Sequence, residues 1–483
     1  MPVISKRIFF WTLVALFCVT TPLIIFYSLG YRFNTQRGIF VFTGSLSIKS
    51  NPQNVKIYID QEEKNKSLNR LNNSYHVGGI RPGEHLIEVK APGFSTWSKK
   101  ITISSGVSTE FWNVVLKRDS YERTAYPAEG IDKFFFDPGK KMIAYTKSGT
   151  EGLSVDVLDL DTKKSENVFF SDEYKFTDDK KENIEWSPQS EKIIIPAVKG
   201  EEKDYFVVDI KKKETANLKD LAETEGIQKV RWDKENKDFI YYIANNSIYY
   251  LNTRDPQEKK LIADSVASYD LSSGFVCYFQ IPSGIVYRTN YDGTSSPEQI
   301  TTSAPDKMED MNYQVTVYDK DRVALLNKSG ELYIFNHGEK KDYFKNLSSG
   351  IDEIQFSNDG KKMIYYNRSE ICIYFTRDWD VQPWRSEDEQ KEIIRFSEEI
   401  KNIQWTKDYE HVAFSVGDKI KIAEIDNRSQ NNTMDLISMN TDESKIVSDL
   451  GENTIYFTDK NDETSNFYSI IFPEKIGIFG IRG

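Results

Sequence analysis

Residues 354–367, IQFSNDGKKMIYYN, consist of two short apolar runs joined by a polar turn that contains Asp and Gly. The same arrangement recurs as IDKFFFDPGKKMIAY at 131–145, IEWSPQSEKIIIPAV at 184–198, VRWDKENKDFIYYI at 230–243 and IQWTKDYEHVAFSV at 403–416, with weaker copies at 267–279, 315–326 and 436–448. Runs of this length, rich in β-branched and aromatic residues and separated by turn residues, predict pairs of short strands.

The residues that end the first run of each copy recur every 34 to 50 positions. These anchors are Phe136, Trp186, Trp232, Tyr269, Val317, Phe356, Trp405 and Met439. Most copies continue into a further strand and a basic turn, as in SVDVLDLDTKK and YFVVDIKKKE. A period of roughly 40–50 residues built from four short strands predicts a β-propeller, because one blade cannot bury both of its faces alone. We count eight candidate blades between 127 and 475, with seven as the alternative because the last copy is the weakest.

Two of the copies also resemble known propeller repeats. FDPGKKMIAY and FSNDGKKMIYY are similar to TolB-like and WD40-like repeats, in which an aromatic-Ser-Pro-Asp-Gly-Lys-Lys turn links the first two strands. The segment YERTAYPAE at 121–129 reads as an outer strand without a blade of its own. We expect it to close the ring by completing the C-terminal blade.

The N-terminus contains IFFWTLVALFCVTTPLIIFYSL, 22 residues without a charge, at 8–29. A helix of that length spans about 33 Å, against roughly 30 Å of bilayer hydrocarbon. We expect an uncleaved membrane anchor; a processed signal sequence or a buried helix are the alternatives. The run is longer than a signal-peptide core, and no A-x-A site follows it. The basic residues on its two sides are nearly balanced, but a large domain after an N-terminal anchor favours an extracytoplasmic position for the bulk of the chain.

Residues 44–118 alternate between apolar and polar positions, with Pro and Gly turns between the runs. This pattern predicts five or six short antiparallel strands in a small sandwich. The segment resembles the PEGA domain of bacterial cell-surface proteins through Pro52, the run from Val55 to Ile59, Pro82-Gly83, Pro92-Gly93-Phe94 and Trp97. The Pro-Glu-Gly-Ala motif of that family stands here as Pro52-Gln53-Asn54-Val55. The resemblance implies an envelope-surface domain without catalytic residues.

The charge is divided unevenly along the chain. Residues 1–37 carry +4, residues 38–118 carry +5, and residues 119–483 carry −20, from 48 basic and 68 acidic groups. Because nucleic-acid affinity depends on basic groups that displace counterions, nucleic acid is excluded as a partner. The basic small domain could contact anionic lipid or wall polymer through Lys99, Lys100, Lys117 and Arg118, or its charge could be incidental.

No residue set typical of catalysis or cofactor binding is evident. Cys18, Cys277 and Cys372 show no CxxC spacing, although a Cys277–Cys372 disulfide is left open. The four histidines, His76, His85, His337 and His411, are scattered without metal-ligand spacing, and we expect them to be surface or strand residues. The acid-rich segments DKNDETSN (459–466) and NYDGTSS (290–296) read as hairpin turns rather than calcium loops. We therefore nominate no catalytic, cofactor-binding or metal-ligating residue, and we expect no cofactor.

The predicted fold class is all-β, with a single N-terminal transmembrane helix, a PEGA-like β-sandwich and a β-propeller. The predicted segments are a cytoplasmic tail (1–7), the anchor (8–29), a linker (30–43), the sandwich (44–118), a linker with the ring-closing strand (119–126), the propeller (127–475) and a tail (476–483). The leading hypothesis is a non-enzymatic envelope protein, tethered to the membrane, that presents the propeller to an envelope protein or cell-wall glycan. The alternative is a propeller hydrolase or lyase that acts on envelope glycan or peptide.

Overall fold

The computed structural model describes residues 3–28, 30–34, 39–69, 71–147, 151–179, 181–307, 312–461 and 464–474. The chain begins with helix α1 (Val3–Ser28), followed by an antiparallel hairpin of β1 (Tyr31–Asn34) and β2 (Ile39–Phe42). Within α1, the apolar stretch Lys6–Ser28 has none of its most hydrophobic window buried by the rest of the described chain. Twenty-three residues at 1.5 Å per residue measure about 35 Å, enough to cross a bilayer.

The junction between the helix and the sandwich is tightly packed around Gly30. The carbonyl of Gly30 accepts hydrogen bonds from the Thr43 backbone N–H (2.9 Å) and from the Thr43 hydroxyl (3.0 Å). Gly30 has φ +92°, and a Cβ there would lie 2.6 Å from the Thr43 oxygen and 2.9 Å from Gly106 Cα. Only glycine satisfies both the dihedral angle and the close approach of the two backbones.

The sandwich consists of two four-stranded sheets. One has the order β10-β3-β7-β6 and the other β5-β4-β8-β9. The strands are β3 (Gly44–Asn51), β4 (Lys56–Ile59), β5 (Glu62–Glu63), β6 (Ser67–Asn69), β7 (Ser74–Ile80), β8 (Gly83–Lys90), β9 (Trp97–Ile103) and β10 (Ser108–Val115). Alternate residues of both sheets point into one shared core that includes Leu46, Ile57, Val89 and Phe111.

The sandwich differs from the predicted strand set in two respects. It has eight strands rather than five or six, because the short β5 and β6 carry no apolar alternation that the sequence pattern could reveal. The first and last strands, β3 and β10, pair in parallel rather than antiparallel. A parallel pair needs a long connection, which the remaining strands of the domain supply.

After residue 119 the described residues form eight further sheets, numbered here in chain order. Sheet 1 contains β12 (Ile131–Phe136), β13 (Met142–Lys147), β14 (Leu153–Asp159) and β15 (Lys164–Ser171); sheet 2 contains β16 (Lys175–Phe176), β17 (Glu185–Trp186), β18 (Lys192–Lys199), β19 (Glu202–Asp209) and β20 (Glu214–Asn217), followed by helix α2 (Leu218–Ala222). Sheet 3 contains β21 (Gln228–Trp232), β22 (Phe239–Ala244), β23 (Ser247–Asn252) and β24 (Lys259–Ala263); sheet 4 contains β25 (Val266–Ser272), β26 (Phe275–Gln280), β27 (Ile285–Asn290) and β28 (Glu298–Gln299).

Sheets 5 to 8 repeat this antiparallel order. Sheet 5 contains β29 (Gln314–Asp319), β30 (Arg322–Leu326), β31 (Leu332–His337) and β32 (Asp342–Ser348); sheet 6 contains β33 (Glu353–Phe356), β34 (Lys362–Tyr366), β35 (Glu370–Phe375) and β36 (Gln390–Arg395). Sheet 7 contains β37 (Ile400–Trp405), β38 (His411–Val416), β39 (Lys419–Glu424) and β40 (Thr433–Ser438); sheet 8 contains β41 (Ile446–Asp449), β42 (Thr454–Asn461), β43 (Thr464–Ile471) and, as its outer strand, β11 (Thr124–Glu129).

The sheets close into a ring through apolar clusters, each shared by two successive sheets. For example, Trp186 packs with sheet 1 residues, and Trp405 packs with sheet 6 residues. The eighth cluster joins sheet 8 to sheet 1 through Phe467 and Phe134, whose rings lie 4.9 Å apart. The chain closes the ring as well, because β11 pairs antiparallel with β43. The predicted all-β chain with an N-terminal apolar helix and a β-propeller is therefore confirmed.

One of the predicted repeats was placed wrongly. Residues 436–448, anchored on Met439, were read as the first two strands of the last blade. In the structure β40 ends sheet 7 at Ser438, and β41 begins sheet 8 at Ile446. The last strand of one sheet and the first strand of the next are both short apolar runs. The sequence pattern alone therefore does not show whether two such runs belong to one blade or to two successive blades.

The repeated turn between the first two strands of a sheet is held by a short polar side chain. In FDPGKK, the Asp137 carboxylate accepts hydrogen bonds from the backbone N–H groups of Gly139 (3.0 Å), Lys141 (2.7 Å) and Met142 (2.7 Å). In FSNDGKK, the Ser357 hydroxyl accepts from the Lys362 N–H at 3.0 Å. These side chains satisfy the turn's backbone donors, which favours Asp, Ser or Thr after the anchor, as found after six of the eight anchors.

The sandwich docks on sheets 6 to 8 of the propeller through polar contacts and through Val115, which packs in the apolar cluster of sheets 7 and 8. Lys99 of β9 has a fully buried side chain, whose Nζ lies 2.7 Å from Glu424 Oε1 and 3.5 Å from Asp426 Oδ1. Trp97 Nε1 donates to Glu424 Oε2 at 3.1 Å, and the Arg428 guanidinium stacks 4.1 Å from the ring centroid of Phe111. Lys99 is thus unavailable to lipid or wall polymer, contrary to its predicted place on a basic surface.

Candidate functional site

The strand order defines two ends of the ring. In each sheet the inner strand begins at one end, where the turn between the second and third strands also lies; the other two turns lie at the opposite end. The sandwich contacts the latter end, through Gln382 between β35 and β36, Asp426 between β39 and β40, and Glu474 after β43. The end where the inner strands begin points away from the sandwich.

A cavity of about 940 Å³ opens at this distal end. Its walls come from sheets 2 to 5, from α2 and from the connections that precede β17, β21 and β29. Seven carboxylate and six cationic side chains line it, together with Tyr205 and Tyr269. The volume is within the range of small-molecule and oligomer binding sites.

Side chains of the inner strands connect successive sheets beside the cavity. Trp232 Nε1 donates to the carbonyl of Glu185 at 3.1 Å, and the Tyr269 hydroxyl donates to the carbonyl of Lys229 at 2.6 Å. Neighbouring inner strands belong to different sheets and are not paired by backbone hydrogen bonds, so these side-chain bonds link them instead. They make the cavity wall rigid and leave Tyr205 and Tyr269 almost fully buried.

A row of charged groups crosses three inner strands. Arg231 forms an ion pair with Glu185, and its Nη1 lies 3.8 Å from Asp270 Oδ1. Burial raises the pKa of Glu185 above its ordinary value, although Arg231 opposes this shift. The Glu185 carboxylate also accepts from the Trp232 N–H at 3.2 Å, and Asp270 Oδ2 accepts from the Val317 N–H at 2.9 Å. These acids are engaged in holding the sheets together.

A second carboxylate of the cavity is held in the same way. Glu182 Oε1 accepts hydrogen bonds from Lys203 Nζ at 2.7 Å and from the Tyr205 hydroxyl at 2.8 Å. Burial and the Glu182 charge together raise the pKa of Tyr205 far above its ordinary value, so the phenol stays protonated. One oxygen of the Glu182 carboxylate, Oε1, is therefore engaged by two wall residues.

The inner strand of sheet 3 begins with an irregularity that shapes the cavity. The register of β21 against β22 shifts between Gln228 and Arg231, and Lys229 has φ +51°. Such a bulge redirects a side chain out of the regular alternation. Lys229 Nζ donates to the Ala267 carbonyl at 2.8 Å on the cavity side. Burial, and the like charges of Lys181 and Lys328, lower the pKa of Lys229 to about 8.

The four histidines lie apart from this cavity. His85 pairs with Asp60 at 2.6 Å in the sandwich, and His337 pairs with Asp342 on an exposed turn. His411 is buried on β38, where its Nδ1 lies 2.7 Å from the Asp408 carboxylate. His76 is exposed on β7. Within the ranges that the structure describes, no cluster of three or more His, Cys, Asp or Glu side chains could hold a metal ion.

The remaining residues singled out in the sequence have structural surroundings. Cys277 is buried in sheet 4 and Cys372 lies in sheet 6, and both are free thiols. Burial raises the pKa of Cys372 to about 11, so the thiol is protonated. Asp292 of NYDGTSS accepts from the Thr294 hydroxyl at 2.8 Å within a turn after β27. In DKNDETSN, residues 462 and 463 lie outside the described residues, and the flanking residues belong to β42 and β43.

The cavity was not predicted from the sequence. Its walls draw on residues 179–185 and 219–231, which lie largely in connections between the repeated strand pairs. Anchor spacing does not single out these connections, because the 50 residues from Phe136 to Trp186 hardly exceed the 49 from Phe356 to Trp405. Long connections between repeats are where propellers commonly build binding surfaces.

Comparisons with known proteins agree with this division of the chain. Residues 43–119 match the PEGA domain. The match includes every strand of the sandwich, so the PEGA resemblance drawn from the Pro-Gly turns is confirmed. No curated protein sequence matches the chain.

Solved structures similar to this chain are β-propellers from several sources. The C-terminal WD40 domain of Sif2 is 11% identical, with 73% of this chain and 99% of that chain covered at a TM-score of 0.47. The Dos1 propeller is 10% identical, with 72% and 95% covered at a TM-score of 0.49. An oligogalacturonate lyase in complex with manganese is 10% identical, with 74% and 95% covered at a TM-score of 0.38.

Proposed function

We propose that the protein is a membrane-tethered, non-enzymatic binding platform of the cell envelope, and that the distal cavity of its propeller holds the ligand. The helix α1 is the tether, the PEGA domain is a stalk, and the propeller presents the cavity to an envelope protein or glycan. The observation that carries the proposal is the arrangement of the two ends of the ring: the stalk occupies one end, and the cavity opens at the other.

The state of the cavity's acids favours binding over catalysis. An acid–base mechanism uses carboxyl groups that face the substrate with free lone pairs or an available proton. Glu182 and Glu185 are instead paired with Lys203 and Arg231. A ligand would meet these ion pairs beside charged groups that have no ion-pair partner, an arrangement that suits recognition of polar groups.

The test is ligand capture by the full chain in uncharged detergent, immobilised and exposed separately to membrane-protein and wall-glycan fractions of its own cells. A matched pair of variants locates the binding site. Gln228→Trp fills the cavity from the start of β21, whereas Gln257→Trp places the same side chain on the exposed turn between β23 and β24 at the opposite end of sheet 3. We expect wild type and Gln257→Trp to retain one component stably and Gln228→Trp to lose it.

Two results would contradict the proposal. Equal capture by the two tryptophan variants would place binding away from the cavity. Release of shortened glycan or peptide products over time, abolished by Gln228→Trp, would show that the cavity is an active site of a hydrolase or lyase.

A further inference from the structure

The cationic side chains of the distal cavity fall into two groups, according to whether a carboxylate neutralises them. In the first group each cation has a carboxylate partner: Lys203 with Glu182, Lys219 with Glu225 and Arg231 with Glu185. Lys181, Lys229 and Lys328 form the second group. None of the three has a carboxylate within 4.0 Å among the residues that the structure describes. Lys181 and Lys328 are exposed, whereas the Lys229 ammonium lies against the cavity wall at the Ala267 carbonyl.

The three unpaired lysines come from distant parts of the chain. Lys181 precedes β17, Lys229 lies in the bulge of β21, and Lys328 lies in the turn between β30 and β31. Closure of the ring brings them to one cavity, where the charges of Lys181 and Lys328 contribute to the lowered pKa of Lys229. The Glu182 and Asp179 carboxylates offset part of this repulsion without forming an ion pair with Lys229. A bound anion would relieve the remainder.

A structural role accounts for only one of the three. Lys229 Nζ donates to the carbonyl of Ala267 at 2.8 Å, as Lys133 Nζ does to the carbonyl of Thr177 at 3.3 Å in sheets 1 and 2. This bond joins neighbouring sheets and explains the direction of Lys229. The ammonium groups of Lys181 and Lys328 have no hydrogen-bond acceptor among the described residues, so packing of the ring does not explain them.

We propose that Lys181, Lys229 and Lys328 form an anion site that binds a phosphate or carboxylate group of the ligand held in the distal cavity. This inference rests on the proposed function, since it assigns a chemical class to the ligand of that cavity. The propeller as a whole is acidic, and its field opposes anions at long range. The three lysines therefore form a local basic region in an acidic propeller. Their attraction for anions extends over about one Debye length, about 10 Å at 0.1 M salt.

The experiment is isothermal titration calorimetry of the full chain in uncharged detergent, at low ionic strength. Tripolyphosphate is the phosphate probe and citrate is the carboxylate probe. The test variant is Lys181→Gln/Lys229→Gln/Lys328→Gln. The control is Lys320→Gln/Lys340→Gln/Lys341→Gln, three exposed lysines on the two turns of sheet 5 at the end opposite the cavity. A third variant carries Arg at 181, 229 and 328 and keeps the charge.

We expect wild type to bind one or both probes and the control to bind within about twofold of wild type. The test variant should lose at least about tenfold in affinity, because each charge-assisted contact is worth more than a factor of ten. The Arg variant should recover most of the lost affinity. Wild-type affinity should fall from pH 7 to pH 9 as Lys229 loses its proton. Which probe binds identifies the anion as phosphate or carboxylate.

Absence of binding to both probes, or equal losses in the test and control variants, would overturn the anion site. Far-ultraviolet circular dichroism of the three variants checks that the ring is folded. Failure here is distinct from failure of the proposed function: capture of a component that Gln228→Trp abolishes would still support the platform, with a ligand recognised through other groups.

Discussion

Replacement of Lys99 by Met should destabilise the contact between the PEGA domain and the propeller by about 3 kcal/mol. The Lys99 side chain is fully buried, and its partners Glu424 and Asp426 are 6% and 15% exposed. Methionine keeps the length and apolar character of the lysine stem, so packing is largely preserved. The substitution mainly removes the charge that neutralises two buried carboxylates.

The magnitude follows from what remains after the change. Loss of one partner of a buried ion pair costs about 3–5 kcal/mol, because the other charge is left without compensation. Glu424 keeps three donors, Trp97 Nε1 at 3.1 Å and the backbone and side-chain N–H groups of Asn432 at 2.9 and 3.0 Å. Asp426 keeps Arg428 at 2.6 Å. These remaining contacts place the expected loss at the lower end of the range.

The adjacent residue supplies a matched control. Lys100 Nζ lies 2.6 Å from Glu84, a shorter distance than that of the Lys99 pair, yet both side chains are about 60% exposed. Water screens such a pair, and Lys100→Met should cost between 0 and about 1 kcal/mol. Urea unfolding of the full chain in detergent, followed by tryptophan fluorescence, measures both variants. Trp97 at the interface is one of eight tryptophans that contribute to the signal.

Equal destabilisation by Lys99→Met and Lys100→Met would refute the reasoning, since burial would then not set the cost. A second check is the double variant Lys99→Met/Glu424→Gln. Replacing Glu424 removes the carboxylate charge that Lys99→Met leaves uncompensated, so the double variant should recover part of the lost stability. A double variant that is less stable than Lys99→Met by the full cost of a second ion pair would mean that the two residues act independently.

Further predictions concern the buried histidine, the junction and the tether. Burial lowers the pKa of His411, but the Asp408 carboxylate outweighs burial and raises the pKa above its ordinary value. The pair therefore stabilises the fold below about pH 6.5, and this stabilisation is lost as pH rises through the pKa that His411 has in the folded protein. Urea unfolding measured across this pH range should show the loss in wild type and in the control His337→Gln. His411→Gln should not show it. Gly30→Ala should expose the junction to protease, because its Cβ would meet the Thr43 oxygen at 2.6 Å, with unchanged protection as the contrary result. Deletion of residues 1–29 should move the protein from the membrane to the soluble fraction, and intact mass spectrometry of the wild type should find an uncleaved N-terminus.

The parts of the fold that could be predicted are those in which one periodicity dominates. The alternation around Ile57 and Val89 predicted paired strands with one buried face, and both residues lie in the core of the PEGA domain. The repeated aromatic before each turn predicted blades, and Trp186, Trp232 and Trp405 do face neighbouring sheets. In each case local sequence determines which face is buried, so the pattern can be read without the rest of the chain.

The parts that could not be predicted depend on ring closure. Lys181 and Lys328 are 147 residues apart and share a cavity only because four sheets are packed in order around an axis. The alternation of β9 places Lys99 on the inward face with Trp97 and Ile101, and Lys100 on the opposite face. It does not reveal that the buried partners of Lys99, Glu424 and Asp426, come from the propeller. No local pattern encodes which face of a small domain a larger one will cover.

The two unpredicted features are related through the ends of the ring. Buried ion pairs and backbone contacts fix the PEGA domain to the turns at one end of sheets 6 to 8, and the junction at Gly30 fixes the PEGA domain to the helix. A tether with flexible joints would let the ring tumble and meet the membrane with either end. With both joints packed, the PEGA domain is held to the helix on one side and to the ring on the other, and the cavity lies at the end of the ring opposite the PEGA domain. The cost of burying Lys99 is thus best understood as a means of orientation: an apolar contact could bind the two domains as strongly, but charged partners accept only one register.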